Sequence, residues 1–216
     1  MRRKSAPSAT FSPRMSNLQF VFKATALSLA GAILVGYGVG HLLADRWYVT
    51  TTHTLKADPE RVAAALLDLS SWQHWYGAKV DLGNPTRAEV QGQVGTVGHT
   101  LVWSGPLGEA RLRLAAIEPG AVAYDYGVRN KDGSTGGTGT GRVEYQKSPE
   151  GCSVSWTDRG VWDNVMLRWF GWFGALQDRC QQIHDASLTG LERHLEDTAK
   201  AGPAKAAAAG SSETPK

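Results

Sequence analysis

The fold is decided by residues 57–75, which have the sequence ADPERVAAALLDLSSWQHW. Asp58 can cap a helix and Pro59 suits its first turn, because an N-cap side chain accepts a backbone N–H there and proline has none to lose. Apolar residues then follow at helical spacing, namely Val62, Leu66 and Leu69. Ser70 and Ser71 can cap a second short helix. The stretch therefore predicts two short helices in succession.

Strands are predicted on both sides of this helix pair. Residues 47–55, WYVTTTHTL, are β-branched and aromatic and form the first strand. Five later runs alternate apolar and polar residues with a period of two: 96–103, 109–117, 122–129, 142–147 and 152–159. This pattern predicts an antiparallel sheet with one buried face. Beyond Asn164 the period becomes helical, with an apolar stripe formed by Leu176, Cys180, Ile183, Leu188, Leu191 and Leu195.

This order of elements resembles the helix-grip, or START-like, fold. Residues 57–75 resemble the opening of the polyketide cyclase/dehydrase-like (SRPBCC) family, and residues 103–105 with 108–109 resemble its middle. Residues 164–173, NVMLRWFGWF, resemble the start of its last helix. The resemblance covers residues 47–196 and implies an α+β domain whose antiparallel sheet wraps a long C-terminal helix. Because this fold hosts lipid carriers, ligand sensors, cyclases and chaperone-binding modules, it does not define one function.

The resemblance also implies an apolar cavity between sheet and helix, so we expect a binding protein for a lipid or another hydrophobic small molecule. Three inward tyrosine hydroxyls would need partners, which a ligand can supply. The alternative is that the same residues simply fill a core. The residues expected to line the pocket are Leu101, Trp103, Leu112, Leu114, Tyr124, Tyr126, Tyr145, Trp156, Phe170, Phe173, Leu176 and Ile183.

Two other functions stay open. His99 and Asp158 are inward polar residues that can form a general acid/base pair in a cyclase/dehydrase or hydrolase. Equally, His99 can be a core histidine and Asp158 a solvated strand end, and the domain can be an envelope protein-interaction module. No cofactor or metal site is expected, since the sequence has neither HExxH nor CxxC. Cys152 and Cys180 both point inward, and a disulfide between them is an open possibility.

The N-terminal region predicts a membrane anchor. Residues 24–43 contain no charged side chain, and twenty helical residues span about 30 Å, the thickness of the hydrocarbon core. We therefore expect a basic segment at 1–23 and a transmembrane helix at 24–44. A cleaved signal peptide is less suited, because leucine stands where a small residue is needed at 42–44. The positive charge before the span predicts a cytoplasmic N-terminus and a domain on the outer side.

Charge argues against nucleic acid as a partner. Residues 1–44 carry +5 and residues 45–216 carry −2, so the main domain has no basic stripe. The glycine-rich residues 133–141 are expected to form a flexible hairpin loop, and residues 199–216 a disordered tail. The aromatic residues 166–173 are hypothesised to dip into the membrane interface and gate the pocket. Alternatively, they cover the end of the cavity as ordinary core.

Overall fold

The structure, a computed structural model, describes residues 15–77, 87–162 and 164–201. The chain divides into two compact units, residues 1–43 and 44–216. The first unit contains α1 (Met15–Leu42), in which the 23 residues Phe20–Leu42 are long and apolar enough to cross a bilayer. The helix begins earlier than the predicted span and includes Lys23. The predicted tail lies outside the described residues beyond position 201.

The second unit is an α+β domain. It begins with β1 (Arg46–Leu55), α2 (Pro59–Leu67) and α3 (Leu69–Trp75). The strands that follow are β2 (Arg87–Gln91), β3 (Thr100–Gly105), β4 (Gly108–Glu118), β5 (Ala121–Asn130), β6 (Thr135–Ser148) and β7 (Gly151–Val161). Two helices complete it, α4 (Val165–Trp172) and α5 (Ala175–Ala201). The first helix of the pair starts with Pro59, as predicted, but the Asp58 side chain makes no capping hydrogen bond.

One antiparallel sheet has the strand order β1-β7-β6-β5-β4-β3-β2. The helix α5 packs against β1 and α3. We call the sheet face that meets the helices the inner face. Its fully buried side chains pack with those of α2, α3 and α5 in one core, which includes Leu66, Trp72, Leu101, Leu112, Leu114, Tyr124, Val143, Trp156, Leu188 and Leu191. This arrangement confirms the predicted helix-grip fold.

Two predicted features, the cap of α3 and the first residue of β3, differ from the structure. Asp68, rather than a serine, caps α3: its Oδ1 accepts the Ser70 backbone N–H at 2.9 Å. The strand predicted to start at residue 96 starts at Thr100, because Gly98 has a φ of 93° and the chain turns there. Val97 consequently lies exposed on this turn.

The glycine-rich segment is largely strand rather than loop. Residues from Thr135 onward pair with β5 and β7, which places Gly141 between Tyr124 and Asp158. A Cβ at Gly141 would overlap the Tyr124 ring and the Asp158 carboxylate, and one at Gly139 would overlap the Tyr126 hydroxyl. Glycine has a low strand propensity, but here it makes room for two large rings on the inner face.

Candidate functional site

A cavity of about 230 Å³ lies between the inner face of the sheet and α5. Its walls are mainly apolar and strongly aromatic. Tyr76 stacks on Trp103 with ring centres 5.5 Å apart, and Trp47 stacks on Trp162 at 5.1 Å. The lining residues are Trp47, Tyr76, Trp103, Ala110, Arg111, Leu112, Tyr126, Gly127, Val128, Gly137, Thr138, Asp158, Val161, Trp162, Cys180, Ile183 and His184.

The polar part of this wall is a hydrogen-bond network centred on Asp158. On the α5 side, Gln181 Nε2 donates to Thr51 Oγ1 at 2.7 Å. Thr51 Oγ1 and His184 Nδ1 are 3.0 Å apart, and His184 Nε2 and Asp158 Oδ2 are also 3.0 Å apart. Since Thr51 already accepts from Gln181, its hydroxyl can donate to Nδ1, and Nε2–H then donates to the carboxylate. With these hydrogen positions, both ring nitrogens of His184 have partners within the protein.

A second arm reaches the same carboxylate from the sheet. Trp156 Nε1 donates to the Tyr124 hydroxyl at 2.7 Å, and that hydroxyl donates to Asp158 Oδ1 at 2.6 Å. Burial, followed by the charge of Asp158, raises the pKa of Tyr124 well above its usual value. Tyr124 therefore keeps its proton and remains a donor. Both arms direct their hydrogen atoms toward one carboxylate, and Trp156 Nε1 also lies 3.3 Å from Asp158 Oδ1. A carboxylate has about four acceptor sites, so it can accept a further donor.

Tyr126 lies beside this network on the cavity wall. Its side chain is half-buried, and its hydroxyl has no hydrogen-bond partner among the residues that the structure describes. Burial raises the pKa of Tyr126, with a further contribution from the Asp158 charge, so this hydroxyl is also protonated. It can donate one hydrogen bond and accept another from a molecule inside the cavity.

The structure places His99 away from Asp158. His99 is fully buried, and its Nε2 accepts the Leu69 backbone N–H at 3.3 Å. Its Nδ1 lies 3.1 Å from the Gln91 carbonyl oxygen, to which a neutral ring donates. Both nitrogens therefore join backbone segments, and the ring ties α3 to the end of β2. The histidine that meets Asp158 is His184.

The predicted pocket residues separate into three groups. Trp103, Leu112, Tyr126 and Ile183 line the cavity. Leu101, Leu114, Tyr124 and Trp156 are fully buried in the core behind its wall, while Tyr145 is half-buried in a groove beside Gly120. Phe170 and Phe173 are instead 51% and 69% exposed, and the side chain of Leu176 lies outside the described part of the chain.

Sequence reasoning missed His184 as a pocket residue, although a signal was present. His184 stands four residues before Leu188, and Leu191 and Leu195 continue the same helical face. All four side chains are buried. A histidine on an otherwise apolar helical stripe is a buried polar group that needs a partner.

The exposed rings lie on α4, which packs beside the cavity. Gly171 contacts Trp162 so closely that a Cβ would lie 2.9 Å from its Nε1. Arg168 Nε donates to the Trp162 carbonyl at 3.1 Å. We name as the α4 patch the exposed large apolar residues of α4 and of its C-cap: Met166, Phe170, Trp172 and Phe173, with exposed fractions of 61%, 51%, 63% and 69%. One aromatic side chain, Trp162, thus connects the cavity wall to α4.

Both cysteines carry thiols and do not form a disulfide. Cys152 is buried opposite Leu55 in the β1–β7 register, whereas Cys180 is partly exposed on the cavity wall. Their different positions on the inner face explain why the open possibility of a bond is not realised. Cys180 therefore offers a native chemical probe of the cavity.

The architecture defines a helix-grip domain with a cavity between sheet and helix. The family model described as "Polyketide cyclase / dehydrase and lipid transport" matches residues 46–196. The chain belongs to this polyketide cyclase/dehydrase and lipid transport family. This membership establishes a fold suited to hydrophobic ligands and confirms the family resemblance seen in the sequence.

Solved structures match the chain at low sequence identity. An uncharacterized protein from Rhizobium leguminosarum is 18% identical, with a TM-score of 0.55 over 71% of this chain and 97% of that one. The AHSA1 protein from Silicibacter pomeroyi is 16% identical, with a TM-score of 0.49 over 69% of this chain and 98% of that one. No curated protein matches the chain. The likeness to the Rhizobium leguminosarum protein supports the fold alone.

Proposed function

We propose that this protein is a membrane-anchored binding protein that holds a hydrophobic small molecule in the cavity between the sheet and α5. The cavity itself carries the proposal. An engineered cavity of about 150 Å³ lined by apolar side chains binds benzene, and the present cavity is larger at about 230 Å³. Its aromatic walls offer apolar contact, and Asp158 and Tyr126 offer orientation by hydrogen bonds.

Binding is favoured over catalysis by the state of His184. A general base needs a nitrogen within reach of the reacting proton. Here Nδ1 faces Thr51 and Nε2 faces Asp158, so both ring nitrogens are engaged within the protein. The ring also stacks on Trp156 with centres 5.2 Å apart, which fixes its orientation. The network therefore suits a rigid wall better than a proton shuttle.

The membrane part of the proposal depends on α1. Its apolar stretch Phe20–Leu42 spans about 34 Å as a helix, slightly more than the hydrocarbon core of a bilayer. The four cations at Arg2, Arg3, Lys4 and Arg14 precede this stretch without any acid. By the positive-inside rule, we propose a single-pass anchor with a cytoplasmic N-terminus and an extracytoplasmic domain.

The α4 patch is proposed to rest in the interface of the same bilayer. The backbone N–H of Trp162 donates to the Asp45 carbonyl at 2.6 Å. The chain therefore enters the domain beside Trp162, the residue against which α4 packs. Only residues 43–45 separate α1 from β1, a reach of about 14 Å when extended. Exposed Trp and Phe side chains are favoured at the level of lipid headgroups. Arg168 adds a positive charge on the same helix.

The binding proposal is tested with the native thiol on the cavity wall. The full chain is placed in lipid nanodiscs and alkylated with N-ethylmaleimide, and modification of each cysteine is followed by peptide mass spectrometry. Naphthalene, a two-ring probe that matches the cavity volume, is expected to slow Cys180 alkylation in a saturable manner. Cys152, which is buried in the core, serves as an internal control for unfolding. Alkylation of Cys180 that is independent of naphthalene would refute the proposal.

A further inference from the structure

The polar groups on the cavity wall restrict the charge of whatever binds there. Asp158 contributes a carboxylate with 10% of its side chain exposed. Tyr124 donates to that carboxylate, and both ring nitrogens of His184 are engaged with Thr51 and Asp158, so neither side chain offers a cationic partner to an anionic ligand. Tyr126 is a neutral hydroxyl. An anionic ligand would therefore meet a fixed negative charge without a compensating cation, which is costly at low dielectric.

The one arginine among the described lining residues does not change this balance. Arg111 alternates with the buried Leu112 on β4 and is exposed. On the outer face it shares a second groove with Glu89 and Glu109. Since successive strand side chains point to opposite faces, its guanidinium is directed away from Asp158. The inner polar groups thus remain one carboxylate and neutral hydroxyls.

The size of the cavity restricts the ligand further. A volume of about 230 Å³ is about one and a half times the cavity that accommodates benzene. In proportion to benzene it holds about nine or ten non-hydrogen atoms, far fewer than an entire phospholipid has. Gly139 on β6 leaves room for the Tyr126 hydroxyl, which a Cβ at this position would overlap.

We infer that the cavity binds a compact, uncharged hydrophobic molecule that carries one hydroxyl or carbonyl group, with that group held at Tyr126 and Asp158. This inference rests on the proposed binding function and names the ligand class. A ligand hydroxyl accepts from the Tyr126 hydroxyl and donates to a remaining lone pair of the Asp158 carboxylate. A ligand carbonyl accepts from Tyr126 alone. The rest of the molecule contacts Trp103, Leu112 and Ile183.

The experiment compares three probes of equal ring size in the Cys180 protection assay at pH 7.5: naphthalene, 2-naphthol and 2-naphthoate. We expect 2-naphthol to protect at a concentration about fivefold lower than naphthalene, corresponding to one net hydrogen bond. Ionised 2-naphthoate is expected to protect at least about tenfold more weakly than 2-naphthol, because Asp158 repels it. Nanodiscs without protein are used to measure how much of each probe partitions into the lipid.

Two variants separate this inference from the binding proposal. Tyr126→Phe should weaken protection by 2-naphthol and so abolish its advantage over naphthalene, since the hydroxyl that donates to the ligand is removed. Tyr145→Phe, which lies outside the cavity, should change neither. If no probe protects Cys180, the proposed function fails. If naphthalene protects but 2-naphthoate equals or exceeds 2-naphthol, or Tyr126→Phe retains the preference, binding stands and the inferred ligand class is overturned.

Discussion

The Nε2 atom of His184 lies 3.0 Å from Oδ2 of Asp158, so that α5 is joined to β7 by a buried polar contact inside an otherwise apolar core. His184 is 1% exposed and Asp158 only slightly more. Thr51 on β1 and Tyr124 on β5 complete the connections. A polar network this well satisfied specifies one register between helix and sheet, and it places the cavity between them.

The first prediction concerns the carboxylate. Asp158→Asn replaces one of the two accepting oxygens by an NH₂ donor, which then faces either Tyr124 or His184, both of which donate. We expect a loss of about 1–3 kcal/mol in the free energy of unfolding, as for other unsatisfied buried donors. Near-UV circular dichroism of the full chain during denaturation measures it. Asp125→Asn on the exposed face of β5 is the matched control, and equal stability of the two variants would contradict the network.

The second prediction concerns the glycines of β6. Gly141→Ala places a methyl group against the Tyr124 ring and the Asp158 carboxylate, so we expect destabilisation by about 1–3 kcal/mol from overpacking. Gly127→Ala is the control, since its Cβ would meet Thr138 Cγ2 at an ordinary 3.7 Å. Thermal unfolding midpoints compare the two. A tolerated alanine at position 141 would show that Tyr124 does not lie across β6.

The third prediction concerns pH. Partial burial, and then the charge of the stacked His74, lower the pKa of His194 from its usual 6.5, while Asp68 and Asp197 act in the opposite direction. His194 therefore binds a proton more readily in the unfolded chain than in the folded one. The stability contributed by neutral His194 is fully present above pH 6.5 and is lost as the pH falls toward the lowered pKa.

We expect the unfolding midpoint of the natural protein to drop more between pH 7.5 and 5.5 than that of His194→Gln. His53→Gln, on an exposed position of β1, should retain the full pH dependence. If the unfolding midpoints of the natural protein and of His194→Gln depended equally on pH, His194 would not be the cause of the pH dependence.

The fourth prediction tests the α4 patch. An NBD fluorophore attached through Phe173→Cys, in a chain with Cys152→Ser and Cys180→Ser, is expected to be blue-shifted and quenched by brominated lipids in proteoliposomes. The same label at Val97→Cys, an exposed apolar position on the turn before β3, should show neither a blue shift nor quenching. Both labelled chains must retain native near-UV dichroism. Quenching that is equal at the two positions would contradict interfacial docking of α4.

Much of the inner face was predictable because strand alternation is local. Tyr124 and Asp158 follow directly from the period-two pattern of their strands. The pairing of Asp158 with His184 was not predictable, since it depends on how far α5 slides along the sheet. Likewise, strand propensity assigns residues 135–141 to a loop. Only the rings of Tyr124 and Tyr126 explain why glycine is needed in β6.

The orientation of α4 is a second feature that could not be predicted from the sequence. Aromatic residues occur around the whole of this short helix, so its sequence does not select the buried face. The close approach of Gly171 to Trp162 makes that selection and leaves Phe170 and Phe173 outside. Gly171 is a small residue at a tight contact, and a hydrophobic pattern does not reveal such a contact. For this reason, sequence analysis expected Phe170 and Phe173 in the pocket.

The most direct test of the account is native mass spectrometry of the full chain, extracted gently from its own membrane in nanodiscs. The account predicts one small uncharged molecule per chain, with about nine or ten non-hydrogen atoms, which is released on unfolding. It also predicts that Ala110→Phe, which adds a ring on the cavity wall, lacks this molecule. A natural protein that is empty, or that carries the same lipids as Ala110→Phe, would contradict the central claim.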